Sequence, residues 1–86
     1  MNSIERISNI ISNMNRAEVY NFLLELLTES ELADLSKRWR ILELLHQGVT
    51  QRDIAKELNV SLCKVTRGAR IVKTKDAIVN RFLIKE

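Results

Sequence analysis

Five cations and no anion lie between Asn59 and Lys75: Lys64, Arg67, Arg70, Lys73 and Lys75. A one-sided basic segment attracts polyanions, because each phosphate it neutralises releases condensed counterions. The competing reading of so short a run is a solvated helix face. Thr66 stands among these cations with a hydroxyl able to bond a base or a phosphate. Leu62 and Cys63, just before them, are suited to touching a thymine methyl. The chemistry of catalysis is missing. His46 is the only histidine and Cys63 the only cysteine, which leaves no metal cluster and no internal disulfide. His46 near a helix C-terminus suits capping or the surface. For Cys63, packing or DNA contact stands ahead of redox sensing. With no Gly-rich phosphate loop, no Ser-His-Asp set and no carboxylate pair in a plausible cleft, the chain reads as a non-enzyme.

At about 100° per residue, a helix over residues 62–73 divides into three sectors. Val65, Ala69 and Val72 share the sector that must face a core. Cys63, Thr66, Arg70 and Lys73 share a second, small and polar at its start and basic further on. That is the arrangement of a recognition helix, which sets its first turns against base edges and its cations against phosphates. Lys64, Arg67, Gly68 and Ile71 share the third. Glycine inside a helix costs about 1 kcal/mol relative to alanine, so a close neighbour of the Gly68 backbone is expected, simple tolerance being the alternative.

The residues before this helix obey the sterics of a helix-turn-helix. Thr50 with Asp53 caps a short helix running to Leu58. Asn59-Val60-Ser61 is a tight connection, with Asn59 tolerant of left-handed φ and Ser61 a good N-cap. Ile54 and Leu58 are apolar toward the second helix, Ala55 is small at the crossing, and Val60 and Val65 plug the angle between the two. Gln51 and Arg52 open the first helix, within reach of phosphate or a groove edge. An ordinary helical hairpin satisfies several of these conditions by chance.

The remaining elements are also helical. Ile4, Ile7, Ile11 and Met14 make one stripe over about residues 3–15. Residues 17–27 are apolar around so much of their circumference that several neighbours must cover them, and a second subunit is a plausible cover. Thr28 and Glu31 form a capping box that starts a helix with Leu32, Leu35, Trp39, Leu42 and Leu45 as its stripe. Trp39 is assigned to the core or a dimer interface rather than to ligand stacking. Gly48 ends that helix. A sixth helix is expected over about 76–85, carrying Ile78, Val79, Phe82 and Leu83.

The 86 residues contain 2 Gly and 0 Pro, against 45% hydrophobic and 29% charged residues. Sandwiches and barrels need turn residues about every 8–12 positions, so an all-α fold in a single domain over 1–86 remains. Residues 1–49 sum to −2 and residues 50–86 to +5, within an overall +3. No signal peptide and no run of about 18 apolar residues is seen, and a cytoplasmic protein without a membrane partner is expected.

The string LTESELADLSKRWRILELLHQGVTQRDIAKELNVSLCKVTRGARIVK, residues 27–73, resembles the tryptophan repressor family. The marks are the LT before an acidic helix start, the RxRI of Arg38–Ile41, the TQRDIAKEL helix and the TRG of Thr66–Gly68. The resemblance implies a six-helix, intertwined homodimer. Its helix-turn-helix would lie at about 50–73 and its dimerisation helices at about 3–47 and 76–85. It also implies repression of tryptophan biosynthesis genes, with L-tryptophan as co-repressor and no other cofactor.

Residue by residue, Arg38 and Arg67 match the two arginines that sandwich the indole ring, Arg67 also binding the ligand carboxylate. Thr28 matches a hydroxyl near that carboxylate. Gly68 matches the glycine that lets the ligand lie close to the recognition helix. Gln51, Arg52, Leu62, Cys63 and Thr66 fall where the family contacts double-stranded operator DNA, with Arg70 and Lys73 added by the charge reading. Lys64 stands where the best-known members carry a small Thr, Ile71 where they carry a Ser that bonds the ligand, and the loop before Thr50 is one residue shorter. A long cation and an apolar branch change the cavity's shape and polarity. Two alternatives therefore stay open. One is a helix-turn-helix regulator with a different ligand or none. The other is a helical interaction module for an acidic partner.

Overall fold

The computed structural model describes residues 2–83, and the chain divides into two compact units, residues 1–32 and 33–86. Five α-helices and one short 3₁₀ turn make up the described residues, with no strand among them, so the protein is all-α. Among those residues no helix is long and apolar enough to cross a membrane.

The first unit holds α1 (Ser3–Ser12) and α2 (Arg16–Leu26). Asn2 starts α1 by accepting from the Glu5 amide at 2.8 Å. The helix stops earlier than its stripe suggests because asparagine and serine side chains compete for its last carbonyls. Ser12 Oγ and Asn13 Nδ2 both donate to the Asn9 carbonyl, at 2.7 and 2.9 Å, which favours termination over propagation. Asn15 then caps α2 in a full capping box with Glu18, at 2.9 and 3.1 Å. Neither helix buries a residue in the single chain. Ile4, Ile10, Tyr20, Leu24 and Leu26 are all exposed.

The helix α3 (Glu29–His46) runs from the first unit into the second. Thr28 Oγ1 accepts from the Glu31 amide at 3.1 Å, and Glu31 Oε1 accepts from the Thr28 amide at 2.9 Å. Hydrogen bonding from the Thr28 amide, and secondarily from its hydroxyl, holds the Glu31 carboxyl below the ordinary carboxylate range. The apolar stripe of α3 splits in two. Leu35 and Trp39 are exposed, whereas Ile41, Leu42 and Leu44 are buried. Gly48, at φ +90, ends the helix where the amide of Val49 donates to the Leu44 carbonyl at 3.0 Å. A left-handed turn of that kind suits glycine.

Two further helices complete the second unit: α4 (Gln51–Leu58) and α5 (Leu62–Lys73). Thr50 caps α4 through the Asp53 amide, and Ser61 caps α5 through the Lys64 amide, at 3.2 and 3.3 Å. Between them Asn59 takes φ 53, and the Val60 amide donates back to the Ala55 carbonyl at 3.1 Å. Ile41, Leu44, Ile54 and Val65 form the core, with Leu45, Val49, Ala55, Leu58 and Val60 packed around it. Ile54 and Val65 are fully buried, and they fix the angle between α4 and α5. The unit is small enough that each such residue matters, since burying one aliphatic side chain contributes about 1.5–3 kcal/mol.

The expected helix over 76–85 is corrected. The chain leaves α5 at Thr74, turns at Ala77 with no side-chain cap, and makes only a 3₁₀ turn, Ile78–Arg81. Asn80 Nδ2 donates to the carbonyls of Val72 and Thr74, at 3.0 and 3.2 Å. That amide satisfies the open end of α5 and folds the segment back onto it, where an α-helix would carry Asn80 away. Leu83 is buried, whereas Ile78 and Phe82 are exposed. Residues 84 and 85 of the expected helix lie outside the described residues.

Candidate ligand cavity and nucleic-acid face

α5 lies on the core by one face only. Val65, Gly68 and Ala69 are buried, while Leu62, Cys63, Lys64, Arg67, Arg70 and Lys73 are exposed. The core-facing sector read from the sequence is the one that packs, with Val72 half-buried at its end. None of the α5 cations pairs with an acid among the described residues, whereas Arg40 and Glu43 of α3 do pair, at 3.3 Å. The positive field of this face is therefore not cancelled from within.

The third sector of α5 closes a cavity of about 300 Å³ against α3. Lys64, Arg67, Gly68 and Ile71 line it from α5, and Arg38, Ile41 and Leu42 from α3. Three of the four residues singled out for a ligand thus meet: Arg38, Arg67 and Gly68. A cavity of this volume is at the lower end for small-molecule sites, which combine an apolar lining with a few polar groups. Ile41 and Leu42 supply the apolar floor here. They were not singled out as site residues, although their spacing signals it, because positions three and four after Arg38 share its side of the helix. Thr28 belongs to the first unit, where its hydroxyl caps α3.

Gly68 has a close neighbour, as its place inside a helix suggests. A Cβ there would lie 2.8 Å from Ile41 Cγ2, 3.3 Å from Leu45 Cδ1 and 3.4 Å from Leu42 Cδ2. The glycine lets α5 approach α3, and the same approach sets the depth of the cavity.

On the outer side of α5, Leu62, Cys63, Thr66, Arg67 and Arg70 line a shallow hollow open to solvent. Arg67 lines both this hollow and the cavity. The Thr66 hydroxyl is 3.0 Å from Gln51 Oε1 and 3.0 Å from the Leu62 carbonyl, and donates to either. Gln51 at the start of α4 is thereby tied to the outward face of α5, a bond between two residues 15 apart that no local pattern announces. Arg52 is exposed beside it, Cys63 is an exposed free thiol, and Lys73 is exposed at the C-terminal end of α5. Among the described residues no group of His, Cys, Asp and Glu is placed to hold a metal ion.

Comparison with known proteins places this architecture. The chain matches the family described as Trp repressor protein over residues 2–86. It is 36% identical over 86 residues to a Trp operon repressor homolog of Xylella fastidiosa strain M23, covering 98% of this chain and 91% of that one. It is 35% identical over 79 residues to a Trp operon repressor homolog of Chlamydia trachomatis serovar D, covering 90% and 84%. No solved structure matches it. A match over nearly the whole chain, from relatives covered almost end to end, settles the assignment: the protein belongs to the Trp repressor family.

Proposed function

We propose that the protein is a sequence-specific, DNA-binding transcriptional repressor that uses L-tryptophan as co-repressor to control tryptophan biosynthesis genes. The observation that carries this reading is the position of Arg67, which lines a cavity on one side of α5 and the open basic hollow on the other. A ligand in the cavity and a duplex on the hollow would share one helix and one side chain.

In this reading α4 and α5 form a helix-turn-helix with α5 as the recognition helix. Arg38 and Arg67 sandwich the indole ring, and Arg67 holds the carboxylate. Gln51, Arg52, Leu62, Cys63 and Thr66 face the bases and nearby backbone, while Arg70 and Lys73 neutralise phosphates. The active species is a homodimer. The exposed Ile4, Ile10, Tyr20, Leu24, Leu26, Leu35 and Trp39 give it apolar surface to bury, more than scattered single residues on a monomer would explain. Two recognition helices then enter successive major grooves about 34–36 Å apart, a spacing for which Trp repressor itself is a known example. Ligand favours the arrangement that both grooves accept, and about 1–3 kcal/mol of coupling is ordinary for such a switch.

A mobility-shift series on duplexes selected from a random library, with and without L-tryptophan, tests this. The expected result is a steep fall of affinity with salt and tighter binding with the amino acid. Equal affinity with and without it would remove the co-repressor and leave a constitutive regulator. A flat salt dependence would remove DNA.

A further inference from the structure

The last four carbonyls of an α-helix have no partner within it. In α5 they belong to Arg70, Ile71, Val72 and Lys73. A left-handed residue commonly closes such an end, but Thr74 is extended, at φ −72 and ψ 116. Thr74 and Asn80 take over the task. Thr74 Oγ1 donates to the Arg70 carbonyl at 2.9 Å, and the Thr74 amide donates to that of Ile71 at 3.1 Å. Asn80 Nδ2, from beyond the helix, uses its hydrogens on the carbonyls of Val72 and Thr74, at 3.0 and 3.2 Å. Its orientation is fixed, because the reversed amide would set an oxygen against two carbonyl oxygens.

The other end of the same amide is unfavourable. Asn80 Oδ1 is buried and meets no donor among the described residues. A buried acceptor without a partner loses about as much stability as two ordinary hydrogen bonds contribute. Asn80 therefore adds little to global stability, and leucine, branched at the same carbon, would serve the packing as well. What Asn80 does is local. It holds the turn of α5 that carries Arg70 and Lys73, both exposed and neither paired with an acid among the described residues.

We propose that Asn80 is a positioning residue for nucleic-acid binding: it clamps the last turn of α5, so that Arg70 and Lys73 meet the phosphates already ordered. This rests on the reading of α5 as the DNA-facing helix. Without the clamp the last turn frays and must be ordered again at the duplex, and affinity falls in proportion to the time it spends formed. Thr74 takes part through the Arg70 carbonyl.

Asn80→Leu and Thr74→Val, each close in shape to the residue it replaces, test this in the whole protein. The probe is a duplex selected from a random library, titrated by anisotropy. Asn80→Leu is expected to weaken duplex binding by about tenfold and Thr74→Val by about fivefold, the worth of two such bonds and of one. The urea midpoint of Asn80→Leu should stay where it is in the unaltered protein. With Arg70 and Lys73 both replaced by alanine, Asn80→Leu should have no further effect on duplex binding. A merely structural asparagine would instead lower the urea midpoint and act additively with the two cations. In the unaltered chain, hydrogen exchange should find the amides of Ile71, Val72 and Lys73 protected as well as those in the middle of α5. Free exchange at these three amides, additive effects, or unchanged duplex affinity in Asn80→Leu would overturn the clamp while leaving DNA binding in place. Failure of the unaltered chain to bind any selected duplex would instead remove the DNA-facing helix, and the clamp's role with it.

Discussion

Gly68 of α5 and Ile41 of α3 stand so close that a Cβ on the glycine would lie 2.8 Å from Ile41 Cγ2. Ile41 is buried in the core with Leu44, Ile54 and Val65, so it cannot swing aside at little cost. Gly68→Ala gains about 1 kcal/mol of helix propensity and meets an overpacking cost of about 1–3 kcal/mol. The net expectation is a loss of up to about 2 kcal/mol, together with weaker ligand binding as α5 is pushed off α3. Urea unfolding measures the first and calorimetry the second. A stabilised variant with unchanged ligand affinity would contradict the close approach.

The bond between Thr66 and Gln51 ties the outward face of α5 to the start of α4. Thr66→Val keeps the shape and removes the hydroxyl. It should cost about 1 kcal/mol of stability, the net worth of one such bond. Affinity for selected duplex should fall as well. If Thr66 acts by holding Gln51, Thr66→Val and Gln51→Ala together should weaken DNA binding by less than the sum of the two. A double-mutant cycle measures this, and strict additivity would mean that each acts alone.

Arg38 lines the cavity and does not line the outer hollow. Arg38→Ala should weaken ligand binding by about tenfold, the worth of a cation over a ring. It should leave nonspecific, salt-dependent DNA binding intact. Comparing anisotropy on random-sequence duplex with calorimetry on the ligand separates the two. Loss of nonspecific DNA binding in this variant would mean that the two faces of α5 are not distinct.

The capping box at the start of α3 predicts a pH effect of defined sign. Bonds from the Thr28 amide, first, and its hydroxyl hold the Glu31 carboxyl below its usual range. A group depressed in the folded state contributes stability above its unfolded value, and this is lost as pH falls through the folded one. Thermal melts should therefore show a Glu31 contribution present at neutral pH and fading below the ordinary carboxylate range. Thr28→Ala should lower Tm by about 4–8 °C at neutral pH and reduce that part of the acid dependence without removing it, because the main-chain amide at position 28 still bonds the carboxylate. An unchanged acid limb would argue that the box does not hold in solution.

Much of this was legible in the residues because it is local. Thr28, Thr50 and Ser61 announce helix starts through their hydroxyls, and Asn59 and Gly48 announce turns through their tolerance of positive φ. Angular spacing alone put Lys64, Arg67, Gly68 and Ile71 on one sector, which is the sector that lines the cavity. What failed depends on partners distant in sequence or on chain ends. The apolar spacing of Ile78, Val79, Phe82 and Leu83 reads as a helix, but Asn80 reaches back to the end of α5 and replaces it with a single tight turn. The stripe of α3 reads as uniform, yet Leu35 and Trp39 stay exposed in the single chain while Leu42 is buried.

The central claim is that ligand and DNA are coupled through α5. It is tested most directly by measuring L-tryptophan affinity for the free protein and for the protein bound to its selected duplex, beside duplex affinity with and without L-tryptophan. The account predicts that DNA tightens the ligand by the same factor as the ligand tightens DNA, about 5–150-fold. A factor of one in both directions would show two independent sites and contradict it.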